Sequence, residues 1–573
     1  MNALNLSASS PRPSRTKLPE GADVRLEPAA GQRTGLGTSL LLAALGGLVT
    51  ETAFPSKSWW PMAFVGVALL LLALRRDSAR GALLTGSAFG LGFFLPHLWW
   101  ANEAVGQPIG WIALSVMEAS TVGIFGVVWI WARRAPWVQS RAWLQVLVCS
   151  VLWVAVEQLR GRWPFGGFPW GYLAFSQTEG PLLPVASLGG TTLVSGAVVV
   201  VGALVALAID HLRRREVRRA GAALGLAVVP VLAPLLINLD GQEEVGSVRV
   251  GVVQGNVPTR GAEAMSQARA VLANHVAGTR QLLDDVAPGE LDLVLWPESA
   301  SDIDPRSDAQ AGEAVDAAAR SVGAPILLGT QRFLPETRYN DYILWEPGRG
   351  SDVSYTKQHP VPFGEYIPYR DLFRRLTSAV DLVTTDMAAG TEMALLPVDV
   401  ARLGRTVPIT TAICFEVAYD ELIRESVLAG GELIVIPTNN ASFGMTQEST
   451  QQLAMSRFRA VEHGRAVVQV STVGVSGIIS PTGELQQSTE LFTSAAMIQE
   501  LPLRTTLTLA DRLGGWPAAV VQVAAVVALA AGVLASARGR RRAVRAGGGH
   551  DSDGQARDRR RSARPATAPE PTD

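Results

Sequence analysis

Three side chains in this sequence are of types that together could perform acyl chemistry: Glu298 near the end of LDLVLWPES, Lys357 in YTKQHPVPFGEYIP, and Cys414 near the end of VPITTAICFE. A thiol attacking an acyl carbon needs a base for its proton, donors for the oxyanion that forms, and protection from water. Glu298 would be the base, and Lys357 with the backbone N–H of Phe415 the oxyanion donors. The separations, 59 residues from Glu298 to Lys357 and 57 from Lys357 to Cys414, leave room for a strand and helix, or a loop, between each pair. Taken singly, each residue has an ordinary reading: a small buried thiol, an acid favoured at a helix N-terminus, a solvated lysine. Other nucleophile arrangements fare worse. His359 has no Asn or Asp context for a papain-like pair, His463 falls in a predicted helix, and no GxSxG elbow occurs. The only other cysteine, Cys149, sits in an apolar run far from Cys414, so neither a disulfide framework nor a cysteine metal site is expected.

The elements that must position these groups lie between about 246 and 503, where short β-branched runs alternate with amphipathic stretches. VRVGVVQGNV, LDLVLWPES, APILLGT, DYILW, VPITTAICFE, ELIVIPTNN and AVVQVSTVGVSGII read as strands, with helices near 263–286, 308–321, 420–429 and 447–464. This is an α/β pattern, and reactive groups in such domains gather just past the carboxyl ends of strands. All three candidates fall at such ends or in the loop that follows.

The rest of the chain is unlike a soluble enzyme. Hydrophobic residues make up 48% of the 573 and charged residues only 18%, with a formal net charge of -1 that argues for no nucleic-acid partner. Long apolar runs near 35–53, 59–74, 82–100, 109–132, 142–158, 184–210 and 219–238, and a last one over 516–537, predict eight membrane spans. Arginines bias the loops after the second, fourth and sixth spans (Arg75, Arg133 and Arg213 with their neighbours) and follow the eighth (Arg538), with Arg160 and Arg162 a mild exception. That alternation places both termini in the cytoplasm and 246–503 outside it. The expected organisation is a disordered cytoplasmic tail over 1–34 with no cleavable signal peptide, a seven-span domain over 35–240, the α/β domain over 246–503, an eighth span over 514–537 and a disordered tail over 538–573.

The blocks WPES, YTKQHPVPFGEYIP with Lys357 and Glu365, and ICFE resemble those of the nitrilase (carbon-nitrogen hydrolase) superfamily. PFGEY, NNASFG at 439–444, RFRAVEHGR at 457–465, GRWPFGGFPWGYLAFSQ at 161–177 and the eight-span layout resemble more particularly the apolipoprotein N-acyltransferase family, over about 35–537. The resemblance implies a nitrilase-like αββα sandwich and a two-step reaction. Cys414 takes an acyl chain from a membrane phospholipid as a thioester, and the amine of an apolipoprotein's diacylglyceryl-cysteine then receives it. It implies Glu298 as base and then acid, Lys357 as oxyanion donor and Glu365 as the group that orients Lys357 or assists proton transfer. Glu416 would either shape the pocket or cap the following helix. No cofactor or metal is expected, and a monomer in the cytoplasmic membrane is. The sequence departs from the family pattern at Pro360, Phe415, Ser442 and Arg260, none of them in the triad.

Two other readings remain. A membrane-tethered amidase or nitrilase would use the same triad with water as acceptor. A lipid-binding scaffold or transporter would use the spans alone, and Glu118 and Glu157 are the acidic residues within them that such a reading would need.

Overall fold

The computed structural model describes residues 35–257 and 267–561. The expected tail over 1–34, residue 260 and the end of the C-terminal tail lie outside the described residues. Helices occupy each predicted apolar run: Leu36–Glu51, Met62–Ala73, Ala79–His97, Pro108–Ala132, Ala142–Arg160, Ala186–Arg213, Val217–Leu232 and Trp516–Arg561. Among the described residues, five helical stretches, Pro108–Ala132, Ala142–Arg160, Leu183–Arg213, Val217–Leu236 and Trp516–Gly539, are long and apolar enough by length and composition to cross a membrane; Leu36–Glu51 and Met62–Ala73 are shorter apolar helices. The last helix does not stop at 537 as expected but continues to Arg561. Arginine, a strong helix former, supplies nine of the 24 residues from 538 to 561 and carries the helix beyond the apolar run despite five glycines there.

Small residues let these helices pack backbone to backbone. A Cβ at Gly47 would stand 2.0 Å from the carbonyl oxygen of Phe89, and one at Gly90 would stand 2.4 Å from the Cα of Ala119. The run at 184–210 is not one straight helix. Gly189 and Gly190 leave helical geometry (φ -167° and 59°), so the regular helix starts at Thr191. The acidic residues within the spans are engaged with protein. Glu118 pairs with Arg160 at 2.6 Å, and Glu157 accepts from the Leu173 N–H at 2.9 Å. Arg160 also donates to the carbonyls of Phe168 and Trp170. Its departure from the loop charge pattern therefore has a packing cause.

The described residues of the second region form twelve strands: β1 Ser247–Gln254, β2 Leu293–Leu295, β3 Ile326–Phe333, β4 Arg338–Glu346, β5 Gly350–Thr356, β6 Leu395–Val400, β7 Arg405–Thr411, β8 Leu433–Thr438, β9 Val467–Ser471, β10 Gly477–Ile479, β11 Leu485–Ser488 and β12 Ala495–Pro502. They form two six-stranded sheets, in the orders β12-β1-β2-β3-β4-β5 and β11-β10-β9-β8-β7-β6. The period of two along each strand sorts its side chains between two cores. Leu293, Leu295 and Leu327 face inward and join Val398, Val407 and Ile409 of the other sheet in one cluster. Val294, Trp296, Ile326 and Leu328 face outward, against Leu272 and Val315 of helices Ala268–Gln281 and Ala309–Val322. Helices Asp420–Leu428 and Glu448–His463 pack on the second sheet. The arrangement is helix, sheet, sheet, helix. The first of these helices begins at Ala268, five residues later than the sequence pattern places it, with 258–266 outside the described residues.

Candidate active site

The three candidate groups converge although they come from both sheets. Glu298 follows β2, in a turn that lies tightly on β3: a Cβ at Gly329 would come within 2.5 Å of the Glu298 Cα, so only glycine admits this approach. Lys357 follows β5 directly, its N–H donating to the Asn340 carbonyl (2.9 Å) and its carbonyl accepting from Gly390 (2.8 Å). Cys414 opens a short 3-10 turn, Cys414–Ala418, three residues beyond the end of β7. Its φ is +58°, in the left-handed region that non-glycine residues seldom occupy, and Ser299 beside Glu298 has φ +54°. Strained backbone of this kind persists where the surroundings fix it, and here it turns the thiol out of the strand direction.

Lys357 Nζ stands 2.7 Å from Glu365 Oε1 and 3.6 Å from Glu298 Oε1. Glu365 is itself held, its second oxygen accepting from the Val361 N–H at 2.7 Å. Glu298 accepts from Asn340 Nδ2 (2.6 Å) and from the Asn439 N–H (2.8 Å), which ties the first sheet's base to the end of β8 in the second. Glu298, Lys357 and Cys414 are each 5% exposed or less.

Burial pushes the Glu298 carboxyl above its usual range, against the pull of Lys357. Burial also works against the Lys357 ammonium, but the Glu365 and Glu298 carboxylates outweigh it and hold the lysine charged. The Cys414 thiol is driven well above its ordinary value by burial and then by the negative charge of Glu298, with Lys357 opposing. At rest this is a protonated thiol. Such a thiol acts as a nucleophile only when a base takes its proton.

Glu416 does not cap the helix beginning at Asp420 but reaches back to the start of its own turn. One of its oxygens accepts from the N–H groups of Gln358 (2.7 Å) and His359 (3.0 Å), and the other from the Ile413 N–H (2.7 Å), while Tyr355 Oη lies 2.9 and 3.0 Å from the two. It is a buried clamp that joins the turn carrying Cys414 to the loop carrying Lys357.

A family model described as the apolipoprotein N-acyltransferase N-terminal domain matches residues 46–204, and one described as carbon-nitrogen hydrolase matches 249–510. An amidase from Nesterenkonia sp. superposes with a TM-score of 0.33 at 16% identity, over 45% of this chain and 92% of that one. An apolipoprotein N-acyltransferase of Azotobacter vinelandii is 33% identical over 510 residues, 86% of this chain and 94% of its own. One of Mycolicibacterium smegmatis is 37% identical over 539 residues, 89% of this chain and 88% of its own. The chain belongs to the apolipoprotein N-acyltransferase family.

Two groups at this acyltransferase-family site escape sequence reasoning. The first is an aromatic wall drawn largely from the membrane-helix region. The Phe415 ring meets Trp170 (centroids 4.6 Å apart), Trp100 (5.5 Å), Phe443 (6.0 Å) and Phe168 (6.4 Å). Gln451 Oε1 fixes the two indoles, accepting from Trp170 Nε1 at 2.7 Å and Trp100 Nε1 at 3.2 Å. In sequence these aromatics are indistinguishable from interfacial tryptophans.

The second is Glu448, wholly buried in the first turn of its helix. One oxygen accepts from Asn440 Nδ2 at 2.6 Å, and the other has no partner among the described residues. Burial pushes its carboxyl up to about 8, and its charge raises the Cys414 thiol further, alongside that of Glu298. Below about pH 8 it is neutral, and above that it adds an anion near the thiol. Glu448→Gln is therefore expected to alkylate at Cys414 like the parent chain at pH 6.5 and several-fold faster at pH 9. Superimposed rate profiles with iodoacetamide across that range would remove Glu448 from the electrostatics of the site.

Proposed function

We propose that this chain transfers an acyl chain from a membrane phospholipid, through a thioester on Cys414, to the N-terminal amine of a diacylglyceryl-cysteine on an apolipoprotein. Family membership supports lipoprotein N-acylation. The observation that carries the chemistry is the burial of the Cys414 thiol near Glu298 and Lys357, with Lys357 paired to Glu365.

In the first half-reaction Glu298 takes the Cys414 proton as sulfur attacks the ester carbonyl. Lys357 and the Phe415 N–H hold the oxyanion. The carbon–oxygen bond breaks, Glu298 returns the proton to the leaving alkoxide, and lysophospholipid departs. In the second, the amine attacks the thioester, Glu298 accepts its proton, the carbon–sulfur bond breaks, and the proton passes to the departing thiolate. Glu365 keeps Lys357 in place, and Glu416 keeps the two loops in register. The aromatic wall around Phe415 excludes water, which a thioester awaiting an amine requires.

Eight spans, a catalytic domain outside the cytoplasm and both termini inside complete the reading, since both substrates are anchored in the bilayer. The test is to incubate purified full-length chain with phospholipid alone and analyse the Cys414 peptide by mass spectrometry. A persistent acyl adduct, discharged by a diacylated lipopeptide but not by water, is expected. Rapid release of free fatty acid with no adduct would favour the membrane-tethered hydrolase instead.

A further inference from the structure

Where the membrane helices meet the catalytic domain lies a cavity of about 230 Å³, with Arg162, Gly190, Tyr419, Arg424 and Gly515 among the residues of its wall. One water needs roughly 15 Å³ of such space, so the cavity admits a group of many atoms. The reaction described above leaves it unused.

Its position follows from helix ends. Ala142–Arg160 finishes here, the regular helix after Gly190 begins here, and the last helix begins nearby at Trp516. Three apolar helices thus end close together, and in the membrane reading proposed above that level is the headgroup layer of the bilayer. The facing wall, from Ala418 to Glu421, continues directly from the Cys414 turn.

Most charges around the cavity are already matched. Asp420 and Glu462 hold the fully buried Arg459, and Asp420 also accepts from Thr191 Oγ1 at 2.7 Å. Arg162 pairs with Glu421 at the rim, each 56% exposed. Arg424 is different. It is half-buried on helix Asp420–Leu428, feels Asp420 only at a distance, and has no hydrogen bond or ion pair within 4 Å among the described residues. A half-buried guanidinium on a cavity wall with no hydrogen bond or ion pair of its own is available to a phosphate, which its planar fork matches. Arg162 can join it, because an exposed ion pair such as Arg162–Glu421 contributes little and is readily exchanged. Charged walls of both signs make the cavity unsuitable for an acyl chain.

We propose that this cavity binds the phosphate of a glycerophospholipid headgroup, with Arg424 as its principal ligand and Arg162 as the second. The proposal rests on the phospholipid-donor reading above.

The test compares acylation of Cys414 in the full-length parent chain and in Arg424→Gln, using a phospholipid and the p-nitrophenyl ester of the same fatty acid, which has no phosphate. KM for the phospholipid is expected to rise about tenfold or more in the variant, with KM and kcat for the ester unchanged. Competition by inorganic phosphate in the parent chain alone would assign recognition to the phosphate group itself. The same KM shift without competition would assign it to phosphate carried by a lipid. A phospholipid KM within twofold of the parent's, or an equal loss with both donors, overturns the proposal while leaving the donor reading intact. A parent chain acylated by the ester but not by phospholipid overturns both.

Discussion

Cys414→Ser is expected to lower acyl transfer by about 10³-fold or more, because the serine hydroxyl is a far weaker acid and nucleophile than a thiol. The site gives the hydroxyl no help. Burial and the charge of Glu298 already hold the thiol well above its ordinary pKa, and a hydroxyl in the same place starts several units higher still. Stability should hardly change, since oxygen for sulfur at a position 5% exposed alters little volume. The measurement is the triacylated fraction of lipoprotein N-terminal peptides, by mass spectrometry, in cells whose only copy is the variant. Near-parental acylation in those cells would mean that the acyl group does not travel on Cys414.

Glu298→Gln separates the base from the scaffold. Loss of a positioned general base lowers such reactions by about 10² to 10⁴. The fold can absorb the change: Asn340 Oδ1 has no partner among the described residues, so turning that amide over presents it to the new glutamine N–H, while the Asn439 N–H still meets an oxygen. Removing the carboxylate also removes a charge that disfavours the thiolate. The two readouts should therefore move in opposite directions. Alkylation of Cys414 by iodoacetamide at pH 9 should accelerate while acyl transfer collapses. A variant slower in both would indicate distortion of the site, and one unimpaired in acyl transfer would remove Glu298 as the base.

The convergence of Glu298, Lys357 and Cys414 was legible in the sequence because each stands within a few residues of a strand end, and strand ends in α/β domains face one region. Fold class was legible for the same reason: runs such as LIVIP and VVQVS admit little but strand. Strands β5, β6, β11 and β12 were not, because they carry no long β-branched run, as in β11, which is LQQS, and AVVQVSTVGVSGII, read as one strand, divides into β9 and β10. Glu448 reads as an ordinary acid in a helix's first turn, and only the convergence of β8 with that helix reveals its neighbours. Glu416 was visible, but its work was not, since its partners come from a loop 57 and 58 residues upstream. Gly189–Gly190 did carry a signal, a glycine pair inside an apolar run, yet the run's length concealed the break.

β1 and β12 lie side by side and antiparallel, with Ser247 opposite Pro502. The two threads joining the catalytic domain to the helices therefore leave from neighbouring points on one sheet edge. Topologically the domain is an insertion hung from a single attachment, a layout in which a complete folding unit can enter a host without rerouting it. Two adjacent threads also cannot fix its tilt. That task falls on docking contacts such as Gln451 with Trp100 and Trp170, and loosening them would let the thiol swing away from the apolar helices while Glu298, Lys357 and Cys414 stayed together.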